Sequence, residues 1–389
     1  MRRKAIVIGA GIGGLSAAIA LREAGWDVDV FDKASVSADN GAGIVLAANA
    51  MKALAKLGAA EAVAERGAAV GKAEIRTWDG KLLVELPALR QAARYGTHSY
   101  LIHRAELRSI LLRRWAEAGG SEVRTEKELA AIEQDARTVA ALFHDGTRVE
   151  GHVLVGADGV RSAARERLVG PEPLRYGGFT ALRGLCEYAD ERYAVEDGGG
   201  FEALGPGRRF GFSHLGGGRV FWFAAINAPP GDRLSPKERK EAAQRHFRGW
   251  YEPVRAVIDA TAESAILAHD LFDRKPLTRW SYGRATLLGD AAHPMMPNLG
   301  QGGAQALEDA IVLARSLRPE TADVAKALQA YERARIPRTT AIVKQSRRMG
   351  KLMQLENGIA IAVRNWMLRT VPPAVLASRL DGIVGADVD

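Results

Sequence analysis

The sequence predicts an α/β fold in which a parallel sheet is interrupted by an inserted antiparallel sheet and followed by C-terminal helices. Three observations support this. Residues 4–33 alternate strand, glycine turn, helix and strand; residues 174–275 hold short aromatic strands between glycine turns; and residues 324–389 are largely helical in pattern. With 389 residues, the chain can form two domains or one large discontinuous one.

The first unit of the chain has the pattern of a nucleotide-binding turn. An apolar run at 4–8 predicts a buried strand, and Gly9-x-Gly11-x-x-Gly14 follows, leading into a helix that stops near Gly25. Gly9 permits a tight turn, Gly11 lets the backbone approach a pyrophosphate, and Gly14 allows close helix packing. The helix N-terminus would present free N–H groups to the phosphates.

A second strand at 28–31 ends at Asp32, which lies 18 residues after Gly14. An acid at this distance can accept a hydrogen bond from a ribose hydroxyl. The unit therefore predicts a Rossmann-like dinucleotide site, with a glycine turn of some other α/β protein as the alternative. By itself it does not distinguish FAD from NAD.

The next stretches predict an inserted domain. Gly41 and Gly43 predict a loop before a short helix at 49–57, and alternation at 72–86 predicts a β-hairpin that breaks the α/β rhythm. Two or three strands are expected in 121–150, and a helix at 236–250. We expect a nucleotide-binding domain at 1–71, 97–173 and 276–323, an inserted sheet domain at 72–96 and 174–275, and a helical region at 324–389.

Three further positions suggest anion or cofactor chemistry. Arg104 begins a helix that is predicted to run to about 118. The helix dipole disfavours a cation at this N-terminal position, so Arg104 indicates an anionic partner or a loop salt bridge. A buried strand at 153–156 exits at Asp158. Another strand, 285–288, exits at Asp290, and a glycine-rich loop at 300–303 then opens a helix, again a possible anion site.

Composition narrows the class of protein. The net charge of +8 and the pI near 9.6 fit anionic ligands or a solvated basic surface, and Lys344, Arg347, Arg348 and Lys351 are expected on such a surface. No Lys/Arg block of the nucleic-acid kind is present. The single Cys186 excludes an internal disulfide and a cysteine metal site, and no metal is expected. The start Met1-Arg2-Arg3 and the absence of long apolar runs predict a cytoplasmic protein without stable membrane association.

Three signatures resemble those of the single-component FAD-dependent monooxygenases, the aromatic-hydroxylase group. They are GAGIGG at 9–14 with Asp32, GADGVRS at 156–162 and GDAAHPMMPNLGQGG at 289–303. The third is similar to the branch of salicylate hydroxylase, FAD-dependent urate hydroxylase and zeaxanthin epoxidase. The resemblance implies hydroxylation or epoxidation of an aromatic or polycyclic small molecule with NAD(P)H and O₂, through a flavin C4a-hydroperoxide, by a monomer or homodimer.

The resemblance also implies roles for individual residues. Asp290 would bind the ribityl chain, Arg104 a phosphate, Asp32 and Lys33 the adenosine ribose, and Asp158 with Gly159 would lie near the pyrophosphate. The complete set of implied FAD-binding residues is Gly9, Gly11, Gly13, Gly14, Asp32, Lys33, Gly43, Ile44, Arg104, Leu129, Asp158, Gly159, Asp290, Pro297, Gly300, Gln301, Gly302 and Gly303.

Substrate-side candidates come from the aromatic strands and the 289–303 loop. Arg183 can pair with a carboxylate or phenolate or be structural, and His214 can be an acid/base or a hydrogen-bonded strand residue. Pro297 is the third catalytic candidate, whereas His293 is expected to be structural. Urate hydroxylases carry an acid at the position of Asn298, so urate is not the expected substrate. The remaining pocket candidates are Phe210, Phe212, Phe221, Phe223, Met295 and Met296.

Other functions stay open at the level of sequence. A flavin oxidase or reductase without oxygen insertion would share the cofactor motifs, and a non-catalytic FAD-binding protein would retain nucleotide without using NAD(P)H. A halogenase is disfavoured because 249–253 does not match the W-x-W-x-I-P of that group. Phenolic acids, N-heterocycles and polyenes all remain candidate substrates.

Overall fold

A computed structural model describes residues 3–35, 42–231, 234–318 and 320–387. The predictions for Met1, Arg2 and Gly41 lie outside these residues. The strands of the described part are, in chain order, β1 (Lys4–Ile8), β2 (Asp27–Phe31), β3 (Gly43–Leu46), β4 (Ala68–Ala69), β5 (Ala73–Thr77), β6 (Leu82–Leu86), β7 (Tyr100–His103), β8 (Leu129–Gln134), β9 (Val139–Phe143), β10 (Arg148–Gly151), β11 (Val153–Gly156), β12 (Arg175–Glu187), β13 (Gly200–Gly205), β14 (Arg208–Gly216), β15 (Arg219–Asn227), β16 (Leu267–Asp273), β17 (Ser281–Tyr282) and β18 (Ala285–Leu287).

The α-helices of the same residues confirm the predicted helices near 49–57 and 104–118. In chain order they are α1 (Ile12–Glu23), α2 (Ala48–Lys56), α3 (Ala60–Arg66), α4 (Ala88–Tyr95), α5 (Arg104–Glu117), α6 (Ala163–Val169), α7 (Pro236–His246), α8 (Glu252–Ala260), α9 (Gly302–Ser316), α10 (Val324–Met353), α11 (Gly358–Thr370) and α12 (Pro373–Val384). None of the described helices is long and apolar enough to cross a membrane.

The central sheet has the order β17-β18-β11-β1-β2, and its strands are parallel except for β17. Ile8 pairs with Gly156 on one side and with Phe31 on the other, so β1, β11 and β2 end at the same edge. Ligands of open α/β sheets bind at the carboxyl ends of the strands. The glycine turn, Asp158 and Asp32 all follow these strand ends and therefore share one crevice.

The larger sheet has the order β16-β12-β15-β14-β13-β5-β6. The predicted hairpin at 72–86 is confirmed as antiparallel β5 and β6, and parallel pairing of β5 with β13 joins it to the strands of 174–275. The remaining strands form two three-stranded sheets, β10-β9-β8 and β3-β7-β4, of which the first confirms the strands expected in 121–150.

Two predictions in the aromatic stretch differ from the structure. One of the glycine turns expected between the aromatic strands falls at 198–200, but Gly200 already begins β13. The helix predicted at 236–250 ends at His246, and α8 follows after a short turn. Side-chain packing decides both points: β13 is held between β14 and β5, and Phe247 and Trp250 pack into the core at the break between the helices.

The C-terminal region is helical, as predicted. One detail is wrong: Arg347 is not part of a solvated basic surface, because its guanidinium donates to Asp273 Oδ1 at 2.8 Å and to the Tyr176 carbonyl at 3.0 Å. These hydrogen bonds attach α10 to the start of β12 and to the end of β16. Lys344, Arg348 and Lys351 are exposed, as expected.

Candidate cofactor and substrate site

The glycine turn after β1 has two positions that exclude a side chain. Gly9 has a φ of +104°, and a Cβ there would lie 2.4 Å from the Ala157 carbonyl oxygen. A Cβ on Gly14 would lie 1.8 Å from the Gly9 carbonyl oxygen. The turn, α1 and the end of β11 are therefore packed backbone to backbone, and only glycine fits at these two positions.

Gly11 differs, because a Cβ there would meet no protein atom within 4 Å. It caps the N-terminus of α1 without a side-chain hydrogen bond, so the first N–H groups of the helix stay available. Gly13 faces the protein interior. A Cβ added there would lie 2.9 Å from Leu288 Cδ2, at the place where α1 packs beside α9. The space in front of Gly11 is the open side of the turn.

Asp32 closes the turn at the end of β2. Its Oδ2 accepts from the Ala10 N–H at 2.6 Å and its Oδ1 from the Ala34 N–H at 2.8 Å. Two cavities meet at Gly11 and Asp32. One, of about 210 Å³, is also lined by Gly9, Lys33, Leu129, Asp158 and Gly159. The other, of about 170 Å³, is lined by Arg104 and Arg108.

Asp158 connects this crevice to the last cofactor motif. It accepts from the Ser162 hydroxyl and from the Ala164 N–H at 3.1 Å, and burial raises the pKa of its carboxyl group. Three residues after Ser162, in α6, the buried Arg165 donates to the carbonyls of Ala291 and Ala292 at 3.1 and 3.0 Å. Helix α6, which directly follows the GADGVRS segment, is thus hydrogen-bonded to the GDAAHP segment.

The loop before α9 lies against β3. A Cβ on Gly303 would lie 2.8 Å from Ile44 Cδ1, and one on Gly302 would lie 3.8 Å from Asp290 Oδ1. Asp290 is half-buried at the helix N-terminus and has no protein partner among the described residues. The structure therefore brings Asp290, the 300–303 loop and the start of β3, with Gly43 and Ile44, to one place.

A buried polar network, which the sequence reasoning missed, holds this loop. Asn49 on α2 donates to Gln301 Oε1 at 2.9 Å and to Glu308 Oε1 at 2.6 Å. Arg335 on α10 donates to Glu308 Oε2 and to Asp309 Oδ1, both at 2.6 Å. Polar residues 301, 305, 308 and 309 recur at helical spacing in an otherwise apolar helix, and this is the signal that could have revealed the network.

The substrate-side candidates divide between the two faces of the large sheet, because side chains alternate along a strand. Phe221 and Phe223 are half-buried on the face toward the cofactor crevice: a Cβ on Gly43 would lie 2.6 Å from Phe221 Cγ. Arg209 lies on this face too, 5.5 Å from the Phe223 ring, with ion pairing to Glu202 and a hydrogen bond to Asn298. The sequence analysis did not single out Arg209.

Phe210, Phe212 and His214 lie on the opposite face, which corrects their expected place in the pocket. Phe210 is fully buried and stacks on Trp222 at 5.3 Å, in the core covered by α7 and α8. His214 Nε2 is 2.6 Å from the Tyr193 carbonyl oxygen and is buried. The register of β14 against β15 turns these three side chains away from the crevice.

The loop at 295–298 is similarly divided. Met296 is buried against Phe179 and Ala225, so it supports the sheet instead of lining a cavity. Met295 is half-buried near Gly302, and Pro297 is exposed at the start of a single 3₁₀ turn, Pro297–Leu299. Met295, Pro297 and Asn298 are thus the loop residues on the accessible side.

Arg183 is a half-buried cation without a protein hydrogen-bond acceptor among the described residues. It lies on β12, in register with Phe223. Burial, followed by the positive charge of Arg104, lowers the pKa of Arg183. Arg183 and Arg104 therefore place two positive charges in one region, and no carboxylate among the described residues pairs with either of them.

These residues fit FAD. The crevice has an open position in front of Gly11, a free helix N-terminus, a cation in Arg104 for phosphate and an unpaired acid in Asp290 for a polyol chain. When bound, FAD supplies redox chemistry with NAD(P)H and O₂. The chain contributes the binding surface and the polar network that holds the 300–303 loop.

Comparisons with known proteins agree. The FAD binding domain family matches residues 2–346. The chain is 38% identical to aurachin C monooxygenase/isomerase of Stigmatella aurantiaca, covering 94% of this chain and 93% of that protein. It is 39% identical to 3-amino-4-hydroxybenzoate 2-monooxygenase PtnB3 of Streptomyces platensis, covering 98% and 94%.

Among solved structures, Klebsiella pneumoniae HpxO complexed with FAD and uric acid superposes with a TM-score of 0.91 at 31% identity, covering 100% of this chain and 98% of that one. The match extends over both the parallel sheet and the large antiparallel sheet. The predicted Rossmann-like fold, the FAD cofactor and the aromatic-hydroxylase resemblance are confirmed. The chain belongs to the FAD-binding domain family and is an FAD-dependent monooxygenase of its aromatic-hydroxylase branch.

Proposed function

We propose that the substrate is an aromatic acid whose carboxylate pairs with Arg183. The observation that carries this proposal is the Arg183 guanidinium, which is half-buried on the crevice-facing side of the large sheet and has no protein acceptor among the described residues. A half-buried cation without a partner still loses part of its hydration, so an anionic ligand would relieve that cost. A relative that shares 39% of its residues is named for a hydroxybenzoate, which supports the same class.

The aromatic part of the substrate would lie between the sheet and the loop. Phe221 and Phe223 offer ring contacts from the sheet, and Met295, Pro297 and Asn298 approach from the other side. Arg209 donates to Asn298 Oδ1, and Asn298 Nδ2 donates to the Ser346 carbonyl at 2.9 Å, so Asn298 would border the site from a fixed position between the sheet and α10. Asn298 is neutral where urate hydroxylases carry an acid, so we place urate outside the substrate range.

The cofactor residues would act in distinct ways. The N–H groups at the start of α1 would bind the pyrophosphate, Asp32 and Lys33 the ribose, and Asp290 the ribityl hydroxyls. The N-terminus of α9 would favour negative charge beside the bound flavin. Apolar side chains at the sheet face would exclude water from the reacting centre.

The domain boundaries predicted from the sequence remain our proposal, supported by the sheet that β5 and β6 build together with β12 to β16. We also propose a cytoplasmic enzyme, a monomer or homodimer that does not bind nucleic acid, with NAD(P)H, O₂ and a small aromatic molecule as its reaction partners. Cys186 is a free thiol, which supports a reducing compartment.

The test is aerobic NADH and NADPH oxidation by the FAD-loaded protein with matched pairs of aromatic acids and their methyl esters. We expect the acids to stimulate oxidation and to yield products one oxygen heavier by mass spectrometry, while the esters stimulate weakly. Equal or stronger stimulation by the neutral esters would overturn the carboxylate assignment. NAD(P)H oxidation without an oxygenated product from any pair would argue against the substrate class.

A further inference from the structure

Helix α11 has its apolar side turned outward. The side chains of Ile359, Val363, Trp366 and Met367 are 78%, 51%, 64% and 48% exposed. Their spacing places them on one side of the helix. The buried residue of α11 is Arg364, so the polarity is the reverse of that expected for an ordinary surface helix.

Arg364 fixes this orientation. Its guanidinium donates to the Met353 carbonyl at 3.2 Å and to Asn365 Oδ1 at 3.0 and 3.1 Å. Asn357 caps the N-terminus by accepting from the Ala360 N–H at 3.0 Å. Because Arg364 ties the inner side of α11 to the end of α10, the opposite side is directed outward; this outer face of α11 is defined as Ile359, Val363, Trp366 and Met367.

The surroundings of this face are cationic. Residues 341–370 contain six Lys or Arg and a single acid, Glu356. Four of the six cations are exposed, and none of the four contacts an acidic side chain among the residues that the structure describes; they are Lys344, Arg348, Lys351 and Arg369. The first three share one side of the last turns of α10 with Leu352, which is 42% exposed.

We propose that the outer face of α11, together with the neighbouring exposed cations, binds reversibly to an anionic phospholipid surface. An apolar stripe bordered by Lys and Arg is the arrangement with which interfacial helices insert into the headgroup region. Trp366 is of the residue type enriched at that depth. The cations would contact the lipid phosphates, which attract polybasic segments.

A second copy of the chain fits this face less well. In a two-fold symmetric contact the same patch meets itself, so the cations of both copies would be brought together. The face is also small: a 13-residue helix is about 20 Å long, which with a width of about 10 Å gives about 200 Å², against about 800 Å² per partner in a stable complex. An anionic lipid surface can bury the apolar stripe and also pair with the surrounding cations.

The test is co-sedimentation of the FAD-loaded protein with vesicles. We expect binding to mixed phosphatidylcholine–phosphatidylglycerol vesicles that falls at least about tenfold with pure phosphatidylcholine vesicles or in high salt, since headgroup attraction is electrostatic. The double variants Ile359→Ser/Trp366→Ser and Arg348→Glu/Lys351→Glu should each lose that binding while keeping their FAD and their NAD(P)H oxidation.

Matched controls come from other exposed positions. Val195→Ser removes an apolar side chain that is 48% exposed, and Arg255→Glu reverses a cation that is 80% exposed; both variants should bind like the parent. The proposal is overturned by absence of vesicle binding, by equal binding to pure phosphatidylcholine, or by a dimer that Ile359→Ser/Trp366→Ser converts to monomer. Binding to polyglutamate without binding to vesicles would instead indicate an acidic protein partner and would likewise overturn it.

Discussion

His293 Nε2 lies 2.6 Å from Asp309 Oδ2, and both side chains are buried. The same Oδ2 accepts from the Gly289 N–H at 3.0 Å, so one carboxylate orders both ends of the segment that carries Asp290. His293 is therefore structural, as the sequence analysis expected. The position of Asp290 depends on a charge cluster between α9 and α10.

We predict that Arg335→Met destabilises the protein by about 3–5 kcal/mol, because it leaves Glu308 and Asp309 buried with one less cation. The measurement is the free energy of unfolding by urea at neutral pH. Arg333→Met, at an exposed position of the same helix, is the control and should change little. An Arg335→Met protein as stable as the parent would show that the ion pairs of Arg335 with Glu308 and Asp309 make no net contribution to the free energy of unfolding.

The same cluster predicts a pH dependence. Burial acts to raise the pKa of Asp309, but the charges of His293 and Arg335 outweigh it and hold the pKa at about 2. Because this folded pKa lies below the ordinary value of 3.8, the stabilisation is complete above that value and is lost as pH falls toward 2. In Arg335→Met the loss should begin at higher pH. Unfolding curves at stepped acidic pH values measure it; identical profiles would contradict the assignment.

Gly11→Val and Gly14→Ala should fail for different reasons. The Gly11 backbone is extended and its Cβ direction is empty, so Gly11→Val should purify without flavin yet melt at the same temperature as the apoprotein of the parent. Gly14→Ala places an atom 1.8 Å from the Gly9 carbonyl oxygen and should lower stability strongly. Flavin absorbance and thermal unfolding distinguish the two effects, and a yellow, fully loaded Gly11→Val would exclude pyrophosphate from that position.

Asp290→Ala is expected to weaken FAD binding by about tenfold or more, the loss that follows removal of a charged hydrogen-bond acceptor. The readout is the dissociation constant from flavin fluorescence during reconstitution of the apoprotein. Asp290→Asn should retain part of the affinity, and Asp27→Ala, at an exposed ion pair with Arg22, should retain all of it. Full flavin occupancy in Asp290→Ala would remove Asp290 from the cofactor site.

Arg183→Ala should raise KM for an aromatic acid about tenfold or more, since a charged hydrogen bond to the ligand is lost. KM for the methyl ester should be the same in Arg183→Ala and in the parent, because the ester lacks the charge that Arg183 would bind. Arg219→Ala, at the exposed start of β15, is the matched control. If KM for the acid is unchanged in Arg183→Ala, this arginine is structural.

Local rules of the chain determined much of this molecule. Short-range patterns predict several parts of the cofactor site, because strand ends and helix starts are set by neighbouring residues. These parts are the turn at Gly9 to Gly14, the acid at Asp32 and the strand ends before Asp158 and Asp290. Those patterns predicted the Rossmann-like sheet and a dinucleotide crevice without any knowledge of tertiary contacts, and the family resemblance of the three signatures implied FAD.

Only the tertiary structure decided which side chains meet. Alternation along β14 and β15 groups Phe210 with Phe212 and Phe221 with Phe223, but the register between the strands and the helices covering one face determine that the second pair faces the crevice. The network around Arg335 and the contact of Arg209 with Asn298 join residues far apart in the sequence. Their proximity depends on the packing of whole elements, which no local pattern encodes.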